Sequence, residues 1–200
     1  TRRLSALGAT AGTRILAHAD GGGVLYLDAS AEPEQVTRLV EASTDRLGVC
    51  NRLNLLLIDR PVYDALLPVA EKVLSGKGIE LSLPPHSHRL GHEWALDSGN
   101  ESHVTVQPVD GAIDAAHTAA RETSGLAATV CARDEDAATA FIDAYTGTGV
   151  FWNTTTRLLD GYKLLGLPET GINVDRTPGP RGPVTYPDLA LRQFVVLPPV

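Results

Sequence analysis

A cysteine stands at an unusual place in the chain, directly before a long apolar run. Cys50 lies within "STDRLGVCNRLNLLLID", Ser43 to Asp59, after a charged turn that contains Gly48 and before Asn51. Backbone dipoles and partial exposure in such a turn lower the pKa of a thiol and favour its attack on a carbonyl carbon. The same residues also suit a small buried hydrophobe, because cysteine is among the residues most often buried.

The second cysteine, Cys131, lies inside the apolar run "LAATVCA", which predicts a core position. The two cysteines are 81 positions apart, one in a turn and one in a predicted strand. A single pair in a chain of this length is no disulfide framework. We therefore expect two free thiols in a reducing cytoplasm.

Three histidines in "HSHRLGH" have a spacing at which loops bind transition metals: His86, His88 and His92. Only Glu93 follows them closely, and a structural zinc site normally needs four ligands. We therefore expect a solvated loop without a metal, in which one histidine could still transfer a proton.

Polar donors follow a short predicted strand in "GTGVFWNTTTR". The strand ends in Asn153, and Arg157 follows three threonines. Open α/β sheets bind ligands at the carboxyl ends of their strands, although asparagine and threonine are also common in ordinary turns. "GPRGP" places Arg181 on a stiff loop, where it could meet an anion.

Strand-like and helix-like segments alternate, which predicts an α/β fold with a mostly parallel sheet and helices on both faces. A break or kink is expected at Pro68 in the second helix. Helices are predicted over 30–48, 60–76, 110–125 and 133–149. Strands are predicted over 13–18, 22–28, 53–59, 79–83, 103–109, 126–132, 150–153 and 193–197.

Size and charge exclude several classes of protein. The 200 residues suit one ordinary domain. A net charge of −7 argues against nucleic acid, since binding phosphates requires a basic face. No apolar run approaches the ~18 residues of a membrane span. The chain begins at Thr1 and contains no methionine, so we expect a trimmed, processed or excised chain.

Several segments together resemble a known family. "LGVCNRLNLLLID" resembles the catalytic-cysteine segment of γ-glutamyl phosphate reductase (glutamate-5-semialdehyde dehydrogenase), of the aldehyde dehydrogenase superfamily. "GGGVLYLDASAEPEQ", "SGLAATVCARDEDAATAF", "GTGVFWNTTTRLLDG", "LPETGINVDRTPGPRGPVTYPDL" and "RQFVVL" resemble later segments in the same order. The resemblance covers nearly the whole chain. Asn54 and Leu55 stand where the family usually carries Glu and Thr.

The resemblance implies a role for each matching residue. Cys50 would be the nucleophile that forms a thioester, and Asn153 a donor beside its backbone amide. The implied substrate-binding residues are Asn51, Arg157 and Arg181. Glu169 would face the nicotinamide of NADP. No metal is implied.

The resemblance further implies a single catalytic domain over 1–200. Residues 1–20 would be the junction to a cofactor domain that precedes the chain, and 180–200 a tail with an oligomerisation strand. The expected reaction is reduction of an acyl phosphate to a semialdehyde, with a partner chain that carries a cofactor domain or a kinase, in a homo-oligomer. Transfer of the acyl group to an amine or carrier and a non-catalytic, partner-binding role remain alternatives.

Overall fold

The computed structural model describes residues 21–174, 182–190 and 195. The expected strand over 13–18, the junction over 1–20, Arg181 and most of the closing strand and tail lie outside these residues. Within the described part, one six-stranded parallel sheet has the strand order β3-β4-β2-β1-β5-β6. Its strands are β1 Gly23–Leu27, β2 Leu53–Asp59, β3 Glu80–Ser82, β4 His103–Val109, β5 Ala127–Cys131 and β6 Gly149–Trp152.

Helices cover both faces of this sheet, as predicted. The first two helices pack with Leu25 and Leu27 of β1 on one face. The next two pack with Val24 and Tyr26 on the other, because successive side chains of a strand point to opposite faces. The four helices are α1 Pro33–Ser43, α2 Tyr63–Gly76, α3 Gly111–Glu122 and α4 Glu135–Ala144.

Two details of the helices differ from the prediction. Helix α1 ends at Ser43, five residues before Gly48, because the Thr44 hydroxyl donates to the Val40 carbonyl (2.7 Å) and Lys77 Nζ donates to the Glu41 carbonyl (2.8 Å). These bonds satisfy the last carbonyls of the helix and release the chain into the turn before β2.

Helix α2 continues through Pro68 without the expected break. Pro68 is exposed. The carbonyl of Asp64, which lacks its usual amide partner there, is therefore on the side of the helix where water can reach it.

A second, two-stranded antiparallel sheet follows, in a segment between 153 and 193 where the sequence analysis predicted no strand. It pairs β7 Glu169–Asn173 with β8 Gly182–Thr185, and the short helices α5 Gly161–Leu165 and α6 Tyr186–Leu189 flank it. In the part of the chain that the structure describes, no helix combines the length and apolar character needed to cross a membrane.

Candidate active site

Cys50 lies at the amino-terminal edge of the parallel sheet, in the turn between α1 and β2. The amide of Gly22 donates to the Cys50 carbonyl at 2.7 Å and thereby ties this turn to the start of β1. The Cys50 side chain is half-buried against a cluster beside β5, which includes Leu126 and Leu159. The turn therefore presents a thiol that is packed on one side and accessible on the other.

The glycine triplet 21–23, whose last residue begins β1, lets the Cys50 turn and the loop of Glu93 approach the chain closely. A Cβ on Gly21 would lie 2.6 Å from the Cβ of Cys50 and 2.6 Å from Oε1 of Glu93. A Cβ on Gly23 would lie 2.5 Å from the carbonyl oxygen of Arg52. Gly22 has φ +100°, a conformation that side chains rarely adopt. Each position thus needs glycine, and the place that a Gly21 side chain would occupy is close to both Cys50 and Glu93.

Glu93 stands between Cys50 and a cavity of about 490 Å³. Its carboxylate accepts a hydrogen bond from the Gly21 amide. The Ser124 hydroxyl donates to the Gly21 carbonyl at 3.2 Å and also lines the cavity. The full lining is Arg89, Gly91, His92, Glu93, Leu96, Asp97, Glu122, Thr123 and Ser124. Glu93 therefore links Cys50 to an open cavity whose lining includes three carboxylates, one arginine and one histidine.

Arg157 and Asn51 hold the Cys50 turn from the other side. The Arg157 guanidinium, whose side chain is 11% exposed, donates from Nε to Asp45 at 2.7 Å and from NH1 to the Asn51 side chain. The Asn51 side-chain amide donates to the Leu159 carbonyl at 3.0 Å, and the Asn51 backbone carbonyl accepts from the Thr156 hydroxyl at 2.7 Å.

These bonds show what the two residues contact within the chain. Asn51 is buried, and both ends of its side chain bind protein groups. Arg157 binds the two ends of the turn, at Asp45 and Asn51. Both residues therefore hold the Cys50 turn, and their binding of substrate stays a prediction.

Burial raises the pKa of the Cys50 thiol above its ordinary value of 9.0, and the nearby Glu93 carboxylate raises it further. A hydrogen bond with the Cys50 backbone, and the charge of Arg157, lower it, whereas Glu169 adds to the increase. The expectation that the turn would lower this pKa was wrong, because burial and the carboxylates outweigh the local amide.

Replacing Glu93 with glutamine should lower the pH at which Cys50 becomes reactive. The change keeps the shape of the side chain and removes the charge that opposes the thiolate. Alkylation by iodoacetamide, which requires the thiolate, should then be faster at neutral pH and reach half its maximal rate at lower pH. Peptide mass mapping of alkylated Cys50 across pH 6–10 measures this. An unchanged profile would show that Glu93 does not act on the thiol.

The structure does not bring Asn153 to Cys50, which corrects its predicted role as a donor beside the nucleophile. Asn153 follows the carboxyl end of β6, has φ +53° and binds the backbone of Ala132, accepting at 3.1 Å and donating at 2.8 Å. Gly149, at the start of β6, aligns through β5 with Gly23. Four residues of strand therefore separate the two edges, or roughly 13 Å.

The threonines after Asn153 run back across the sheet. The Thr154 carbonyl accepts from Thr129 within β5 at 2.6 Å, and Thr156 donates to the Asn51 carbonyl at 2.7 Å. Arg157 therefore reaches the amino-terminal edge, although Asn153 lies at the opposite one. The site and its cavity do not lie at the carboxyl ends of the strands, where the sequence argument placed the ligand.

The other predicted residues are placed as follows. Glu169 accepts a hydrogen bond from the Gly161 amide at 2.7 Å, and its charge acts on Cys50, so it lies on the same side of the site. Arg181 lies outside the described residues. Cys131 is fully buried and its pKa is raised to about 12, mainly by burial, which agrees with its predicted core position.

The three histidine rings lie next to one another, with ring centroids 5.3 Å apart for His86 and His88 and 5.7 Å apart for His88 and His92, and their nitrogens bind neighbouring side chains. Ser82 lies between His86 (3.3 Å) and His88 (2.6 Å), and His92 pairs with Asp97 at 2.8 Å. Over residues 21–174, 182–190 and 195, no group of three or more His, Cys, Asp or Glu side chains is arranged to hold a metal ion.

Glu93 is the site residue that the sequence analysis did not assign, since it considered this residue only as weak support for a metal. It lies 43 positions after Cys50 in an irregular loop, so no local pattern links the two. The available signal was the triplet Gly21–Gly23, because three successive glycines before a buried strand indicate a close approach of backbone to another group.

Sequence comparison shows that the chain is similar to proteins named γ-glutamyl phosphate reductase. It is 31% identical over 191 residues to γ-glutamyl phosphate reductase of Gluconobacter oxydans, covering 92% of this chain and 44% of that protein. It is 33% identical over 180 residues to γ-glutamyl phosphate reductase of Thermus thermophilus, covering 85% of this chain and 44% of that protein. No protein-family model matches. The chain thus spans less than half the length of these relatives.

Structural comparison shows which solved proteins share this fold. The crystal structure of γ-glutamyl phosphate reductase from Thermotoga maritima matches 98% of this chain and 49% of that one, with a TM-score of 0.79 and 23% identity. An acetylating aldehyde dehydrogenase from Geobacillus thermoglucosidasius (TM-score 0.66, 14% identity) matches 98% of this chain and 56% of that one.

An engineered glycolyl-CoA reductase solved with bound NADP+ (TM-score 0.68, 15% identity) matches 90% of this chain and 51% of that one. At these identities the solved structures establish the fold. The sequence matches confirm the resemblance that the motifs indicated: over about 90% of its length the chain is similar to γ-glutamyl phosphate reductases, of which it spans less than half, and the solved structures show the same fold.

Proposed function

We propose that Cys50 forms a thioester with the acyl group of an acyl phosphate, of the γ-glutamyl phosphate type, as the first half of a reduction to the semialdehyde. The observation that carries this proposal is the partly exposed Cys50, in a turn held by Arg157 and Asn51 and close to Glu93, which lines a cavity. The named relatives support the choice of an acyl phosphate as the substrate class.

The chemistry of the first step needs few groups. The Cys50 thiol loses its proton to solvent, and the thiolate sulfur attacks the carbonyl carbon of the acyl phosphate. The carbon–oxygen bond to phosphate then breaks, phosphate leaves with the electron pair, and a thioester remains. Because the pKa of Cys50 is raised, the rate of phosphate release should increase with pH as the thiolate fraction grows.

The described residues fit one part of a nicotinamide cofactor. Glu93 presents a carboxylate to the cavity beside Cys50, and carboxylates are the usual acceptors for ribose hydroxyls. We therefore assign Glu93, rather than the predicted Glu169, as the residue that would hold the ribose. No glycine-rich loop opens a helix among the described residues, so the proposal places the phosphate-binding part outside them.

When bound, NADPH would supply a hydride to the thioester carbon, and the aldehyde would leave as the carbon–sulfur bond breaks and the Cys50 thiolate is restored. In this step the protein's own contribution is orientation. The Arg157–Asn51 contacts hold the Cys50 turn, and Gly21 leaves room for both the Cys50 Cβ and the Glu93 carboxylate.

The experiment that tests the proposal follows the fate of the acyl phosphate. The chain is supplied with γ-glutamyl phosphate made in place from glutamate, ATP and a glutamate kinase, and phosphate release beyond spontaneous hydrolysis is measured. The proposal predicts a burst that is stoichiometric with the chain and absent in Cys50→Ala. Equal release by both proteins would overturn it.

Further arms of the experiment separate reduction from the alternatives. Consumption of NADPH after the burst indicates reduction. Turnover with an added amine but no use of NADPH indicates acyl transfer. A chain that gives no burst, and whose biological activity survives Cys50→Ala, is a partner-binding protein.

A further inference from the structure

Asn54 is a polar residue inside a strand whose every residue is buried. Its exposed fraction is 1%, and leucines surround it in "LNLLLID". A buried amide costs free energy unless each polar atom has a partner. The partners of Asn54 therefore indicate what it contributes.

The strands shift register at this residue. Gly23 of β1 pairs with Leu53, but Val24 pairs with Leu55, so Asn54 is one extra residue on β2. Leu53 contributes to the core on one face of the sheet, whereas Leu55 contributes to the core on the other. Such extra residues redirect a side chain out of the regular alternation, and they occur often beside active sites.

The redirected side chain holds the peptide groups on both sides of Glu93. Asn54 Nδ2 donates to the His92 carbonyl at 2.7 Å, and the Trp94 amide donates to Asn54 Oδ1 at 3.0 Å. One amide thus binds the residue before Glu93 and the residue after it. The backbone at Glu93 cannot rotate freely while both bonds are present.

Other contacts fix the ends of the same loop without touching the peptide groups next to Glu93. The Trp94 indole donates to Thr105 at 2.9 Å. The buried Arg52 guanidinium donates to the carbonyls of Glu101 and His103 at 2.7 and 2.8 Å. These contacts place the loop on the sheet, and the charge of Arg52 also interacts with Glu93. The Gly21 amide binds the Glu93 carboxylate itself, whereas the Asn54 amide holds the backbone from which that side chain projects.

We propose that Asn54 is a positioning residue that holds the Glu93 carboxylate beside Cys50. The inference deepens the proposed function, because it says what directs Glu93 toward the site, but its geometry does not depend on the identity of the substrate. The charged groups that act on Cys50 are Glu93, Glu169 and Arg157, so release of Glu93 removes one of two opposing charges.

The test measures the pH profile of Cys50 alkylation by iodoacetamide in Asn54→Leu, Asn54→Ser, Glu93→Gln and the double variant Asn54→Leu/Glu93→Gln. Leucine removes both bonds and fills the space, and serine is a second variant in case leucine prevents folding. Each Asn54 variant should shift the profile to lower pH, with several-fold faster alkylation at pH 7, as Glu93→Gln does. The double variant should be no faster than Glu93→Gln alone.

Asn153→Gly is the matched control, since it removes another asparagine amide that bridges a backbone N–H and a carbonyl, but at the opposite edge of the sheet. It should leave the profile unchanged even if it lowers the melting temperature. An Asn54 profile equal to wild type, or an additive double variant, would overturn the inference. If the wild-type chain gave no phosphate burst, this would contradict the proposed function, but it would leave the alkylation profiles of Cys50 unaffected.

Discussion

Gly21→Ala should slow thioester formation at Cys50 by about 100-fold, because displacements of about 1 Å at a reacting group have effects of that size. The added Cβ would lie 2.6 Å from the Cβ of Cys50, 2.7 Å from the Cys50 carbonyl oxygen and 2.6 Å from Glu93 Oε1. The Glu93 side chain can move away, but the Cys50 backbone cannot do so without shifting the turn. The burst rate of phosphate release measures the effect.

Gly48→Ala provides a matched control for this prediction. Gly48 lies two residues before Cys50, and a Cβ there meets nothing within 4 Å. Its burst rate should equal that of the wild type. If Gly21→Ala also kept the wild-type rate, the close approach of the glycine triplet to Cys50 would not matter for the chemistry.

Arg157→Met should lower the free energy of unfolding by about 2–3 kcal/mol, since hydrogen bonds to a charged group contribute up to about 3 kcal/mol and the buried Asn51 carbonyl would lose its partner. The Arg157 side chain is 11% exposed, and it joins the Cys50 turn to the segment after β6. Urea unfolding followed by circular dichroism measures the loss. The phosphate burst should slow as well, because the turn is no longer fixed.

Arg60→Met is the control for Arg157→Met. Arg60 Nε also binds an aspartate Oδ1 at 2.7 Å, in Asp110, but the Arg60 side chain is 59% exposed. Exposed ion pairs contribute little to stability. The urea midpoint of Arg60→Met should therefore stay near that of the wild type. Equal losses in the free energy of unfolding for Arg60→Met and Arg157→Met would contradict the role given to burial at Arg157.

Alternation of apolar runs and amphipathic segments was enough to predict the main sheet. "LNLLLID" and "LAATVCA" form buried strands as expected, and helices lie on both faces. Periodicity did not show where α1 ends, because Lys77, from the end of another helix, supplies one of the terminal bonds. It also did not show the register shift at Asn54, which depends on pairing with β1.

The candidate site was predictable only in part, for a topological reason. Cys50 and Arg157 match motifs and do lie together. Asn153, only four residues before Arg157, is at the opposite edge of the sheet, because the chain turns back after β6. The short spacing of Asn153 and Arg157 in the sequence suggested a single site. In the structure the length of a strand separates the two edges of the sheet at which these residues lie. Glu93 comes from a loop that is distant in sequence, and its contact with Gly21 in the folded chain brings it close to Cys50.

The measurement that tests the central claim most directly is the mass of the chain during reaction with γ-glutamyl phosphate, quenched in acid. The account predicts a gain equal to one glutamyl group, located by peptide mapping on Cys50 and not on Cys131, removed by hydroxylamine and absent in Cys50→Ala. A wild-type chain that shows no adduct, or an adduct that persists in Cys50→Ala, would contradict the assignment of Cys50 as the nucleophile.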